Sequence, residues 1–145
     1  MTKPLEGVRV LDFGRVIASG YCGTMLADMG AEVIKIERPG GEFDRQLGPF
    51  EPGGRAIVYE MITPRNKKSI TLDFTSQNGR EVLEELVKLS SIVISGFTPK
   101  GNQLFGLNYE HLKEVNPEII LVAISGYGQD GPYAERPCFD AIAQA

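Results

Sequence analysis

The chain has 145 residues, with 15 Lys and Arg against 19 Asp and Glu, so its formal net charge is -4. This acidic balance excludes a basic nucleic-acid-binding face as the leading function, because such faces need an excess of cations. Apolar residues make up 42% and charged residues 23%, which excludes a wholly disordered chain. No apolar run approaches the roughly 20 residues that a membrane span requires. The length predicts a single domain over residues 1–145.

Five short apolar runs predict the strands of a sheet. They are rich in β-branched residues and nearly continuous rather than alternating, which is typical of parallel strands covered on both faces. Turn residues bound each run. The runs cover Val8–Phe13, Glu32–Glu37, Ser69–Phe74, Ile92–Ser95 and Ile119–Ser125.

Helical patterns lie between most of these runs. They cover Ser19–Met29, the segment from Thr75 or Ser76 to Leu89, and Tyr109–Val115. Gly30 is suited to end the first helix, and the hydroxyl of Thr75 or Ser76 is suited to cap the second. Alternating strands and helices predict an α/β fold, with a parallel sheet flanked by helices.

Two segments are unusual. Arg38–Lys68 is about thirty residues long, is rich in Gly and Pro, and shows no clear element. Such long connections are functional or disordered, and a surface excursion and a ligand-covering segment both remain open. Cys138–Ala145 predicts the first turns of a helix that ends without a C-terminal cap. We therefore expect the chain to be part of a longer protein.

Several catalytic signatures are absent from the sequence. The loop Phe13–Ala18 lacks the Gly-x-Gly-x-x-Gly pattern, and Gly96–Gly101 has phosphate-loop glycines but is followed by Asn102 instead of Lys. There is no Gly-x-Ser-x-Gly elbow. The only histidine, His111, is expected on a solvated helix face, so a histidine triad and a two-histidine metal site are both excluded.

The amino terminus and the cysteines indicate the compartment. Met1–Glu6 shows no cationic region followed by an apolar stretch, so we expect no secretory signal. Cys22 and Cys138 are far apart in sequence and have no metal-ligand spacing. Together these features predict a reduced, cytoplasmic protein without a metal site.

Basic residues follow the first two predicted strands. Arg15 and Arg38 fall at the carboxyl ends, which is where open α/β sheets bind ligands. Arginines there could hold a phosphate by charge-assisted hydrogen bonds. The alternative is ordinary surface pairing with Glu32, Glu37 or Glu42, and the residues alone leave both interpretations open.

Four segments resemble one known family, the class III coenzyme A transferases of the CaiB/BaiF type, and the opening is most similar to the formyl-coenzyme A transferases. The match follows the family order along nearly the whole chain. The segments are Pro4–Asp12, Leu26–Gly40, Asn66–Asp73 and Ile124–Tyr133.

The resemblance implies a Rossmann-like large domain of an interlocked homodimer that moves coenzyme A between carboxylic acids. In this family an aspartate attacks the acyl thioester, and the reaction continues through a mixed anhydride and an aspartyl thioester with coenzyme A. The implied partners are acyl-coenzyme A and carboxylic acids, with no nucleic acid, membrane or metal. The sequence does not identify the donor and acceptor acids.

The resemblance also implies seven contacts with coenzyme A. Val16 and Ala18 would bind through their backbone, and Arg38 would hold the nucleotide end. The other implied contacts, along or beside the adenine and pantetheine path, are Leu72, Phe97, Phe105 and Phe139.

The sequence departs from the family pattern at several positions. Ser95–Lys100 replaces the usual Glu-Asn-Phe-Arg-Pro-Gly, so that Gly96 stands in place of Asn. Leu104 replaces a common arginine and Thr75 a lysine, which leaves fewer cations for the coenzyme, although Lys100 compensates in part.

The nucleophilic aspartate of the family falls beyond Ala145. Asp140 matches a neighbouring acidic position, so we expect it to have a supporting role only. The 145 residues are therefore expected to bind coenzyme A without catalysing its transfer alone.

Two alternatives remain at this stage. An α-methylacyl-coenzyme A racemase would need an acid/base histidine at the position of Phe139, and a phenyl ring cannot transfer a proton. The other alternative is a short non-catalytic protein that binds coenzyme A or pairs with a separate chain.

Overall fold

The computed structural model, which describes residues 2–57, 59 and 64–145, is built on a sheet of five parallel strands. The strands are Arg9–Phe13 (β1), Glu32–Glu37 (β2), Lys68–Thr71 (β3), Ile92–Ser95 (β4) and Ile120–Ala123 (β5). Their spatial order is β3-β2-β1-β4-β5, so β1 is central and pairs with both β2 and β4. The predicted α/β fold with a parallel sheet is confirmed.

Among the described residues, α-helices follow β1, β3, β4 and β5. They are Ala18–Asp28 (α1), Gln77–Lys88 (α2), Pro99–Leu104 (α3), Tyr109–Val115 (α4) and Asp140–Gln144 (α5). Gly30, at φ +105°, follows the end of α1 as expected, and the Ser76 hydroxyl caps α2 by accepting the Gly79 N–H at 3.1 Å. None of the helices in the described residues is long and apolar enough to cross a membrane.

The sheet has an apolar cluster on each face because successive strand residues point to opposite sides. Leu11, Phe13 and Val93 belong to the cluster that includes residues of α2 and α4. Val10 and Ile94 belong to the cluster that includes Ala27 of α1. Burial on both faces explains why the strands read as continuous apolar runs.

Several predicted boundaries or elements were wrong, among them β5, which spans Ile120–Ala123 rather than Ile119–Ser125. β3 spans Lys68–Thr71 rather than Ser69–Phe74. The chain leaves the strand in a turn in which the Asp73 carboxylate accepts the Thr75 N–H at 3.1 Å. Helix α3 had not been expected, and α5 begins two residues later than predicted. The segment Arg38–Lys68, predicted without a clear element, contains a 3-10 helix at Phe43–Gln46 and a β-bridge between Phe50 and Ala56. Residues 58 and 60–63 of that segment lie outside the described residues.

Candidate functional site

The candidate site lies where the chain direction across the sheet reverses. From β1 the chain proceeds to β2 and β3 on one side, and β4 then pairs with the other side of β1. The loops after β1 and β4 meet beyond this reversal, where a Cβ on Gly96 would fall 3.2 Å from the Arg15 backbone nitrogen. Open α/β sheets bind ligands in the crevice at this point.

A cleft of about 170 Å³ opens at this edge of the sheet. Its wall includes Phe97 and Phe105, whose ring centroids are 4.9 Å apart. Phe105 packs edge-on against Phe74 at 5.3 Å, and Phe74 packs against Phe13 at 5.5 Å, so the wall continues into the core. The lining residues are Arg15, Arg38, Glu42, Asp73, Phe74, Thr75, Phe97 and Phe105.

Two arginines and two carboxylates, Glu42 and Asp73, supply charge to this cleft. Arg15 Nε lies 3.2 Å from Glu42 Oε2, and Arg38 Nε lies 3.9 Å from Glu42 Oε1. The Glu42 side chain is only 6% exposed, whereas the side chain of Arg38 is 55% exposed. Arg15 also lies over the ring of Phe97, 5.6 Å from its centroid. The site therefore combines aromatic surface with guanidinium groups, which suits a ligand with a flat ring and an anionic group.

The loop between β1 and α1 is held in place by side chains. Asp12 Oδ1 accepts the Gly14 N–H at 2.6 Å, and the buried ammonium of Lys35 donates to the Gly14 carbonyl. Ser19 Oγ accepts the Arg15 N–H at 2.8 Å and donates to the Arg15 carbonyl at 3.1 Å. Val16 adopts φ +54°, a left-handed conformation that is unusual for a β-branched residue.

Asp44 braces this strained residue from the segment after β2. Its Oδ2 accepts the Val16 N–H at 3.1 Å, and its Oδ1 is buried without a hydrogen-bond partner among the described residues. Burial raises the pKa of the Asp44 carboxyl, although Lys35 and the Val16 N–H act in the opposite direction. The segment after β2 thus folds back onto the loop after β1.

A second contact holds the same segment to β2. Glu37 accepts the Tyr59 hydroxyl at 2.6 Å, and Arg45 Nη2 lies 2.8 Å from the Glu37 carboxylate. The Arg45 guanidinium lies over the Tyr59 ring at 4.5 Å from its centroid. Burial and the neighbouring Glu37 raise the pKa of Tyr59, so its hydroxyl stays protonated and keeps donating at neutral pH.

A buried ion pair lies under the first turns of α1. Lys67 Nζ is 2.6 Å from Asp12 Oδ2 and donates to the Gly20 carbonyl at 2.7 Å. Burial lowers the pKa of Lys67, although Asp12 opposes this shift. Burial, with a smaller effect of Asp12, raises the pKa of the neighbouring Cys22 thiol. These groups pack closely against α1, because a Cβ on Gly23 would fall 2.5 Å from Asp12 Oδ2.

The structure brings together some of the predicted site residues. Arg38, Phe97 and Phe105 line the cleft together, and Leu72 joins the adjoining apolar cluster. Val16 and Ala18 follow Arg15 in the β1–α1 loop and at the start of α1.

Two predicted residues lie apart from this group. Phe139 is 63% exposed and precedes α5, and Asp140 is the first residue of that helix, where it accepts a hydrogen bond from Gln144 at 2.6 Å. Neither residue is among those that line the cleft.

Sequence reasoning missed the central position of Glu42. Glu42 pairs with Arg15 and Arg38, as in the alternative of ordinary surface pairing. All three residues, however, line the cleft. The four-residue spacing from Arg38 was the available signal. The roles of Asp44 and Lys67 had no local signal because their partners are distant in sequence.

Comparisons with known proteins agree on one family. The model described as CoA-transferase family III matches residues 5–145. Human succinyl-CoA:glutarate CoA-transferase is 41% identical over 144 residues, which are 99% of this chain and 33% of that protein. Succinyl-CoA--D-citramalate CoA-transferase of Chloroflexus aurantiacus is 40% identical over 144 residues, covering 99% of this chain and 36% of that protein.

A solved structure has a similar fold. The crystal structure of a CaiB/BaiF family protein from Brucella suis matches with a TM-score of 0.88 and 40% identity, covering 98% of this chain and 38% of that one. The chain spans about a third of the length of the curated relatives it matches.

Proposed function

The chain belongs to CoA-transferase family III, and on that premise we propose that its cleft binds coenzyme A for transfer between carboxylic acids. The observation that carries the proposal is the joining of Arg38, Phe97 and Phe105 in one cleft. A guanidinium at the mouth suits the phosphates of the nucleotide end, and aromatic rings suit its base and the pantetheine arm.

The size of the cleft supports binding of part of the coenzyme by this region. Pockets that enclose a drug-sized ligand measure roughly 300–1,000 Å³, whereas this cleft measures about 170 Å³. We assign the remaining contacts to the backbone at Val16 and Ala18 and to Leu72, with Phe139 a contact from the segment before α5. Asp140 has a supporting role.

The reaction that we propose for the whole enzyme is a double displacement. An aspartate outside these 145 residues attacks the thioester carbonyl of the donor, forming a mixed anhydride and releasing the coenzyme thiolate. The thiolate then attacks the aspartyl carbonyl, which frees the donor acid and leaves an aspartyl thioester. The acceptor carboxylate reverses these steps and leaves with coenzyme A, regenerating the aspartate.

The names of the relatives guide the choice of acids. Both proteins compared above are named for succinyl-CoA and a dicarboxylic acid. We extend that substrate class, a short dicarboxylate accepting coenzyme A from an acyl-coenzyme A donor, to this protein. We also propose that it acts as a cytoplasmic homodimer.

Replacing Arg38 tests the site directly. We expect Arg38→Ala to weaken coenzyme A binding by about 1.5–3 kcal/mol, the contribution typical of a hydrogen bond to a charged group. Isothermal calorimetry on the natural protein measures this change. Arg65→Ala is the matched control, because Arg65 is similarly exposed but pairs with Asp28 at the far end of α1. Equal dissociation constants for both variants would remove Arg38 from the site.

A further inference from the structure

The two arginines of the cleft are arranged around one of its two carboxylates, that of Glu42. Glu42 lies between Arg15 and Arg38, with its nearer contact, 3.2 Å, to Arg15 and its longer contact, 3.9 Å, to Arg38. All three residues line the cleft. An anion that enters it therefore meets a negative charge that the protein already carries.

The three side chains differ in how free they are to move. Glu42 is almost fully buried. It follows a turn in which the Gly41 N–H donates to the Arg38 carbonyl at 3.0 Å, and this turn directs the chain back toward the cleft. Arg15 is less exposed than Arg38 and also packs over Phe97. Arg38 has the most exposed side chain and the longest ion-pair contact of the three. It can turn toward a ligand at the smallest cost, because a long contact near solvent contributes little.

We propose that Glu42 is an internal counter-ion that limits the affinity of the cleft for anionic ligands by competing with them for Arg38. The inference rests on the proposed function and adds to it a residue that limits ligand affinity. Glu42 keeps Arg15 against Phe97 and neutralises part of the charge on Arg38. A ligand phosphate or carboxylate must draw Arg38 away from Glu42 and bind close to its negative charge.

This arrangement has a physical consequence for ligand exchange. A transferase that releases its product at each turnover gains from a site that does not bind the coenzyme too tightly, since excess binding of the ground state does not raise turnover. Repulsion from one carboxylate across a solvent-facing cleft is modest, and it is screened by salt.

The test compares two neutralising substitutions in the natural protein. Glu42→Gln keeps the shape of the side chain and removes its charge, and we expect the dissociation constant for coenzyme A to fall about three- to tenfold at low ionic strength. The gain should shrink when the salt concentration is raised to several tenths molar. Calorimetry at the two salt concentrations measures both effects.

Asp73→Asn is the matched control. Asp73 also lines the cleft, but its carboxylate accepts the Thr75 N–H at 3.1 Å and the Thr75 hydroxyl at 2.5 Å and has no ion pair with either arginine among the described residues. The Asp73→Asn variant therefore measures how much the affinity for coenzyme A changes when any one negative charge is removed from the cleft. We expect its gain in affinity to be clearly smaller than that of Glu42→Gln. Glu42→Ala repeats the comparison if the glutamine variant unfolds at a lower temperature than the unchanged protein.

Two smaller probes identify the anion. If Glu42→Gln binds adenosine 3′,5′-bisphosphate more tightly but not glutarate, the competing group is a coenzyme phosphate. If it binds glutarate more tightly but not the bisphosphate, the competing group is the carboxylate of the acid substrate. Either result supports the role of Glu42 as a counter-ion. Weaker binding by Glu42→Gln, or a gain equal to that of Asp73→Asn, overturns it. If the unchanged protein shows no saturable binding of coenzyme A, the proposed function fails and the inference fails with it.

Discussion

Lys67 and Asp12 form an ion pair 2.6 Å long in which both side chains are almost completely buried. They come from the segment before β3 and from the central strand, 55 residues apart in sequence. Desolvating two charges costs several kcal/mol per ion, and this cost is offset only when the pair has close geometry and further hydrogen bonds. Here Asp12 also accepts the Gly14 N–H and Lys67 also donates to the Gly20 carbonyl, so the pair joins two ends of the β1–α1 connection.

Breaking this pair should destabilise the fold strongly. We expect Lys67→Met to lower the free energy of unfolding by about 3–5 kcal/mol, because Asp12 is left buried without its counter-charge. Lys68→Met should change it by less than about 0.5 kcal/mol, since Lys68 is exposed and its partner Glu32 lies at the surface. Adding Asp12→Asn to Lys67→Met should recover much of the loss. Urea denaturation measures all three, and similar losses for the two lysine variants would contradict the assignment.

The raised pKa of Asp44 predicts a pH effect of definite sign. A carboxyl whose folded pKa exceeds its unfolded value, near 3.9, binds its proton more tightly in the folded state. Its contribution to stability is complete below the unfolded pKa and is lost as pH rises through the folded pKa. Asp44→Asn should therefore become more stable relative to the unchanged protein as the pH rises above about 4.

The test of Asp44 uses the difference in free energy of unfolding between the variant and the unchanged protein, because other carboxyls titrate over the same pH range. Asp44→Asn retains an oxygen that can accept the Val16 N–H, so the geometry of that contact is kept. Asp130→Asn, at an exposed position, is the control. Urea denaturation at several pH values gives the slope of this free-energy difference against pH for each variant. The same slope for both variants would show that Asp44 does not carry the effect.

The left-handed backbone at Val16 predicts that glycine is tolerated there. A non-glycine residue in this conformation costs roughly 1–2 kcal/mol, while glycine increases the freedom of the unfolded chain by about 0.4–1 kcal/mol. We expect Val16→Gly to be neutral or to stabilise the protein by up to about 1 kcal/mol. Val122→Gly in β5 should instead lose about 1 kcal/mol or more. A comparable loss at Val16 in urea denaturation would show that its side chain packing outweighs the strain.

The aromatic wall of the cleft predicts that removing the Phe97 ring lowers the affinity for coenzyme A. This ring is only partly buried in the core. Phe97→Ala should weaken coenzyme A binding about five- to twentyfold, because the variant removes a ring that lines the cleft and supports Arg15. Leu89→Ala is the control, since Leu89 is exposed just beyond the end of α2. Calorimetry gives the affinities. An unchanged affinity in Phe97→Ala would exclude its ring from ligand contact.

Elements with local causes were predictable. The buried strands β1, β2 and β4 are short runs rich in apolar residues, and the Ser76 cap and the Gly30 stop each follow from one residue type at one position. Helix α3 was missed because Pro99–Leu104 contains a proline and a glycine and has low helix propensity. It forms where the Thr98 hydroxyl accepts the Gly101 N–H at 3.4 Å and Asn102 is buried.

The sequence by itself determined the α/β class, the positions of most strands and helices, and the resemblance that identifies the family, because these depend on residue types at short spacing. Only the tertiary structure decided which distant groups meet. Lys67 pairs with Asp12, Asp44 accepts the Val16 N–H and Glu42 pairs with Arg15, because the fold brings together segments that are tens of residues apart in sequence. Burial then makes each of these contacts stronger or more costly than the same pair of residues would be in water.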